Sequence, residues 1–165
     1  MEIKKTFLTL VVTLFTGSAA AAAGEVAVDV RMSPAGSFKA ATTKVEGTAV
    51  KTADGVMAEN VVVDVTSLST TIALRDKHLK DYLKAGQFPQ IKLLKAIGKD
   101  GKGKGKMEIM GKTQEVNGTY EISGGELRAK FPMKLSELGI TGVRYMSVGV
   151  KDEVVVNVNL PIKAK

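Results

Sequence analysis

One short stretch of this chain concentrates the groups that do chemistry. Arg75 to Leu83 read RDKHLKDYL, with the only histidine, His78, just behind Arg75 and Asp76. Histidine with aspartate is the pairing used by general-base and nucleophilic mechanisms, and histidine with carboxylates also ligates metals. Neither chemistry is complete here. Asp76 and His78 are two residues apart, so on a helix they point in different directions. The chain has no G-x-S-x-G motif and no cysteine, so no nucleophile is recognisable. A lone histidine without cysteine or a spaced carboxylate cluster is a poor metal site. The expectation is no catalytic residue, no metal and no enzyme. Arg75 and Asp76 then fix the entry of a helix by charge-assisted bonds, and His78 packs against the sheet beneath. The competing reading is an enzyme with His78 as general base; in it, His78→Ala removes an activity and spares thermal stability.

Two other stretches invite chemistry. KDGKGKGK, Lys99 to Lys106, resembles a phosphate loop but lacks the G-x-x-x-x-G-K-[ST] spacing, and no helix clearly follows. It reads as a solvated hairpin tip that at most touches anionic headgroups. NGT, Asn117 to Thr119, matches a glycosylation acceptor and reads instead as a tight turn.

The elements that would position these groups begin after a leader. Lys4 and Lys5 precede an apolar run from Phe7 to Phe15, and the small residues of TGSAAAAAG follow. This is the three-part pattern of a secretory signal peptide, shorter than the ~20 residues of a membrane span. We place the leader at residues 1–23 and one domain at 24–165, a length of 142 residues. Export implies the periplasm of a bacterial envelope. The absence of cysteine leaves packing alone to stabilise the fold and excludes a lipid-acylated cysteine. Net charge is +7, or +6 once two lysines and one glutamate of the leader are removed. Export argues against nucleic acid, so the spread charge is read as solubility with transient attraction to an anionic membrane surface.

Strand patterns dominate the domain. Val26, Val28 and Val30 alternate in EVAVDVR, as do Leu127, Ala129, Phe131 and Met133 in ELRAKFPMK. Val154, Val156, Val158, Leu160 and Ile162 alternate near the end. Turns fall at Ala53–Gly55, near Gly111 and at the SGG of residues 123–125. Roughly eight short strands result, the count of an antiparallel sandwich or barrel. Two stretches are helical: Thr71 to Ala85, with Thr70 or Thr71 as cap and Gly86 as stop, and the short LSELG at 135–139. An eight-stranded closed sheet is either filled by side chains or holds one small ligand. With aromatics at 5% and small apolar inward residues, composition leaves both open.

The stretch VVVDVTSLSTTIALRDKHLKDYLKAGQFPQIKL resembles the centre of the YceI-like family. The matching residues are Ser67, Thr70, Arg75, Asp76, His78, Leu79, Phe88, Pro89 and Ile91. MGKTQEV is similar to the family's G-x-[TS]-x-x-V hairpin. VGVKDEVVVNVNL is similar to its closing V-G-D-x-V strand, with two extra residues at Val150–Lys151. The chain departs from the pattern where KLSELGI stands in place of an R-x-D-F-G segment. The resemblance implies an all-β, eight-stranded antiparallel lipocalin-like barrel with one short helical connector. It implies an exported binding protein that encloses an apolar isoprenoid-type lipid for transport or storage. No cofactor is implied beyond a bound isoprenoid lipid or quinone. Candidate ligand-binding residues are Leu127, Ala129, Phe131, Met133, Val154, Val156, Val158 and Leu160 from alternation, with His78 at the mouth. The alternative to a binding barrel, besides an enzyme, is a stress-related interaction protein with a filled core.

Overall fold

The long alternating run at the end of the chain becomes the strand on which the others converge. The computed structural model describes residues 23–145 and 147–164, except for the Tyr145 side chain. Apart from Ala23, the leader expected at residues 1–23 lies outside the described residues. The elements are β1 (Glu25–Ser33), β2 (Ser37–Thr42), β3 (Val45–Glu46), β4 (Ala49–Lys51), β5 (Val56–Asp64) and α1 (Ala73–Tyr82). Then come β6 (Gln90–Lys99), β7 (Lys102–Ile109), β8 (Lys112–Ser123), β9 (Glu126–Lys134), β10 (Arg144–Tyr145) and β11 (Val148–Lys163).

One edge of β11 pairs antiparallel with β9, from Val154↔Met133 to Leu160↔Leu127. Its other edge pairs with β1, from Val30↔Val154 to Val26↔Val158, and then with the short β4. The sheet therefore closes as β11–β4–β5–β6–β7–β8–β9 and back to β11. This is the expected barrel with one helical connector. The ring holds seven strands rather than eight, and the hairpin β1–β2 lies beside it on β11. The β4–β11 contact is parallel, while β3 and β4 both run antiparallel to β5. An isolated bridge, Ala41↔Ser69, ties β2 to the segment leading into α1.

From β6 to β9 the chain is a plain meander. Its three turns, Asp100–Gly101, Met110–Gly111 and Gly124–Gly125, have positive φ at both residues. That is the two-residue hairpin turn whose twist matches the strands it joins. The Lys99–Lys106 run is thus mostly strand, not loop: only Asp100 and Gly101 turn. Lys102, Lys104 and Lys106 face out, while Gly103 and Gly105 face in. NGT is no turn either and lies inside β8. A Cβ on Gly118 would come within 2.2 Å of the Lys130 carbonyl oxygen, so this glycine allows a close strand approach.

Period-two alternation breaks once on β5 and once on β6, at the same level. Val56 and Ala58 face in, then Val61 and Val63 do, so Asn60 is the extra residue, with φ 54°. Opposite it the register of β6 slips between Leu93 and Lys95, leaving Leu94 39% exposed. The main buried cluster gathers Val26, Val61, Met107, Phe131, Val156 and Leu160 with their neighbours on these strands.

Candidate functional site

The RDKHL segment becomes α1, which spans Ala73–Tyr82 rather than 71–85. Ile72, with no side-chain cap bond, stands at its N-cap. The helix ends before Gly86. Lys84 takes the left-handed conformation (φ 50°), while Ala85 N–H donates to Lys80 O and Lys84 N–H to Asp81 O. These are the paired bonds of a Schellman ending, here made without glycine.

Asp76 anchors the entry as expected. Its carboxylate accepts from Thr70 Oγ1 at 2.5 Å, Thr70 N–H at 2.6 Å and Ser69 Oγ at 3.0 Å. The Thr70 hydroxyl, the Thr70 amide and Ser69 hold this carboxyl below the usual aspartate range. Arg75 does something else: its guanidinium lies over the Phe38 ring of β2, 4.4 Å from the centroid. Beneath, Thr42 Oγ1 and Ser67 Oγ meet at 2.5 Å, and Ser67 Oγ donates to Asp64 O at 2.6 Å. The polar residues of the segment thus pin α1 to the ends of β2 and β5. His78 does not pack into the sheet as expected. It is exposed, because α1 stands over a hollow rather than on a filled core.

That hollow is a cavity of about 900 Å³. Leu68, Ile72, Leu74, His78, Leu79 and Tyr82 close it on the helix side. Val28, Val30, Phe38 and Ala40 of β1–β2 form a second wall, and Ile91 and Ile109 a third. Met133, Leu135, Leu138, Ile140, Val143 and Val154 complete it. The only charged or titratable lining residues are Arg75, His78, Asp81, Tyr82 and Arg144. No residue of α1 is fully buried, and Ile72, Leu74 and Tyr82 are 48%, 51% and 41% exposed. A second, separate hollow of about 90 Å³ lies among β5–β9 and β11, lined by Ala58, Ala96, Gly105, Tyr120 and Ala129 among others.

The expected site residues divide between these spaces. Met133, Val154 and His78 line the large cavity. Leu127, Ala129, Phe131, Val158 and Leu160 line the small one. Val156 lines neither and is buried between them. Much of the large cavity comes from residues not singled out for ligand contact: the valines of β1, Phe38, and the apolar residues of α1. The β1 alternation carried the same signal as β9 and β11 and would have found Val28 and Val30.

The two departures from the family pattern meet at the cavity wall. KLSELGI forms a short 3₁₀ turn at Leu135–Leu138, ended by Gly139 at φ 80°, that buries Leu138 and Ile140. The extra residues near Val150–Lys151 form a bulge: Met32 pairs with Val150, but Val30 pairs with Val154. Asp152 in that bulge accepts from Ser136 N–H and Ser136 Oγ, each at 2.7 Å. The bulge therefore anchors the turn that forms the wall. These bonds, the Ser136 hydroxyl first, also lower the Asp152 pKa.

Among the described residues no group of three or more His, Asp or Glu is placed to hold a metal. The site is an apolar container with a charged mouth.

Comparison with known proteins accords with this geometry. A family model described as YceI-like domain matches residues 6–162. Among solved structures, BcnA of Burkholderia cenocepacia superposes with a TM-score of 0.63 at 18% identity, over 83% of this chain and 94% of that one. A polyisoprenoid binding domain from Saccharophagus degradans, implicated in plant cell wall breakdown, gives 0.57 at 16% identity, over 86% and 94%. A mutant YceI protein with a monobromobimane guest gives 0.60 at 14% identity, over 74% and 82%. Compared with curated proteins, the chain finds no match.

Proposed function

The chain belongs to the YceI-like family, and on that premise we propose that it is a binding protein that encloses an apolar, isoprenoid-type lipid for transport or storage. The observation that carries this is the cavity of about 900 Å³ with apolar walls and charge only at its mouth. Its size suits a small-molecule site, which typically spans about 300–1,000 Å³. A lipid tail drawn inside would be driven by burial at about 25 cal/mol per Å² of apolar surface. A polar head would meet Arg75, His78 or Arg144. The cavity favours this reading over a filled-core interaction protein. The aspartate of the RDKH segment is not available to orient His78 as a base, since Asp76 is committed to Thr70 and Ser69.

We place the protein in the periplasm, on the leader pattern of residues 1–23. Loading at a membrane surface is consistent with the mouth, where Ile72, Leu74, Tyr82 and Val148 are all more than a third exposed beside two arginines. Native mass spectrometry and organic extraction of the purified protein test the reading: a co-purified or readily taken-up isoprenoid lipid is expected. A protein that is empty and ignores added isoprenoid quinones would sink it.

A further inference from the structure

The two hollows share no lining residue, although the same strands run past both. Along β7 the inward residues are Ile109 at the large cavity, then Met107, then Gly105 and Gly103 at the small one. Along β11 the sequence repeats: Val154 at the large cavity, then Val156, then Val158 at the small one. On β5 Val61 and Val63 line neither hollow, and Ala58 and Val56 line the small one. Met107, Val156 and Val61 are 7%, 4% and 2% exposed and belong to one packed cluster. Inward positions on a strand lie about 6–7 Å apart. On β7 and β11 the partition is therefore one side chain thick.

We propose that Val61, Met107 and Val156 form a septum that sets the chain length the cavity accepts, with the small hollow as an extension beyond it. This rests on the lipid-binding reading above. Beyond the septum Gly103, Gly105, Ala96 and Ala129 stand among larger residues such as Tyr120 and Leu127, and their small size leaves room that the bound chain does not reach. The septum stands at the level where in-and-out alternation breaks on β5 and β6, at Asn60 and Leu94, so that Val61 and its partner Leu93 both face inward.

The test measures binding of a ladder of isoprenoid alcohols (geraniol, farnesol, geranylgeraniol and solanesol) to the purified full-length protein. In the unaltered protein, affinity is expected to rise along the ladder and then level off. Met107→Ala is expected to move that plateau to a longer alcohol with roughly tenfold tighter binding, the gain from burying about two further methylene groups. Val156→Ala is expected to do the same and serves where Met107→Ala does not fold. Ala129→Leu, which fills the small hollow, should leave the unaltered ranking in place and cancel the gain in the Met107→Ala background. Folded septum variants that bind with the original ranking overturn the proposal. So does a loss of long-chain binding on Ala129→Leu alone, which would mean that ligand already crosses the septum. Absence of binding by every alcohol is a different result and overturns the lipid reading itself.

Discussion

Met133 and Phe131 stand two residues apart on the same face of β9, yet they serve different parts of the barrel. Met133 looks into a cavity of about 900 Å³, and Phe131 borders a hollow of about 90 Å³ inside a packed cluster. The walls of both halves are mainly apolar, so hydrophobicity alone does not distinguish them. What differs is the opposing surface. The packed half is closed by the tight β6–β9 meander, where glycines let strands approach closely. The hollow half is closed by α1, which is pinned at its N-terminal end by the Asp76 contacts and buries none of its residues fully. Stability resides in the first half and capacity in the second.

The sharpest way to break this comparison is to truncate one large residue in each half. Leu160→Ala, at a site 2% exposed, is expected to cost about 2–5 kcal/mol of unfolding free energy, read from denaturant melts. Leu74→Ala, at a site 51% exposed, is expected to change stability by about 0.5 kcal/mol or less while weakening lipid retention. Equal losses would mean that both halves carry the fold alike. A smaller effect concerns the helix alone. Arg75→Ala removes the contact with Phe38 and is expected to cost about 0.5–1 kcal/mol by the same melts, with Arg75→Lys recovering only part. The smallest concerns pH. Asp76 has a folded pKa below its ordinary value because Thr70 and Ser69 bond its ionised form. The stability this lends is present above the usual carboxylate range and lost as pH falls through the lowered value. The melting temperature of Asp76→Asn should therefore lie below that of the unaltered protein near neutral pH. The gap should close at acid pH below the ordinary aspartate range; a gap unchanged there would refute the assignment.

The fold was largely legible because β1, β9 and β11 alternate cleanly, and because the glycine turns at Gly111 and Gly124–Gly125 are local signals. Where legibility failed, the cause was a missing side chain or a displaced one. The Lys99–Lys106 run hid a strand because glycine on its inner face leaves no hydrophobic period to detect. Helix bounds were misjudged because a Schellman ending forms at Lys84, without the glycine that usually marks it. For the site, alternation identifies which residues face inward but not how far apart the opposing walls stand. Phe131 and Val154 looked equivalent for that reason, and only the position of α1 and the septum separates them.

The convergence of pairings on β11 has one more consequence, for how the chain is made. β11 is the last strand of the described chain, and it pairs with the first, β1, as well as with β9, β4 and β10. Until it is synthesised, β1 and β9 each present an unsatisfied edge. The nascent polypeptide is then an open sheet, aggregation-prone and without an inside. Local hairpins from β6 to β9 can assemble early, but the interior comes into being only with β11.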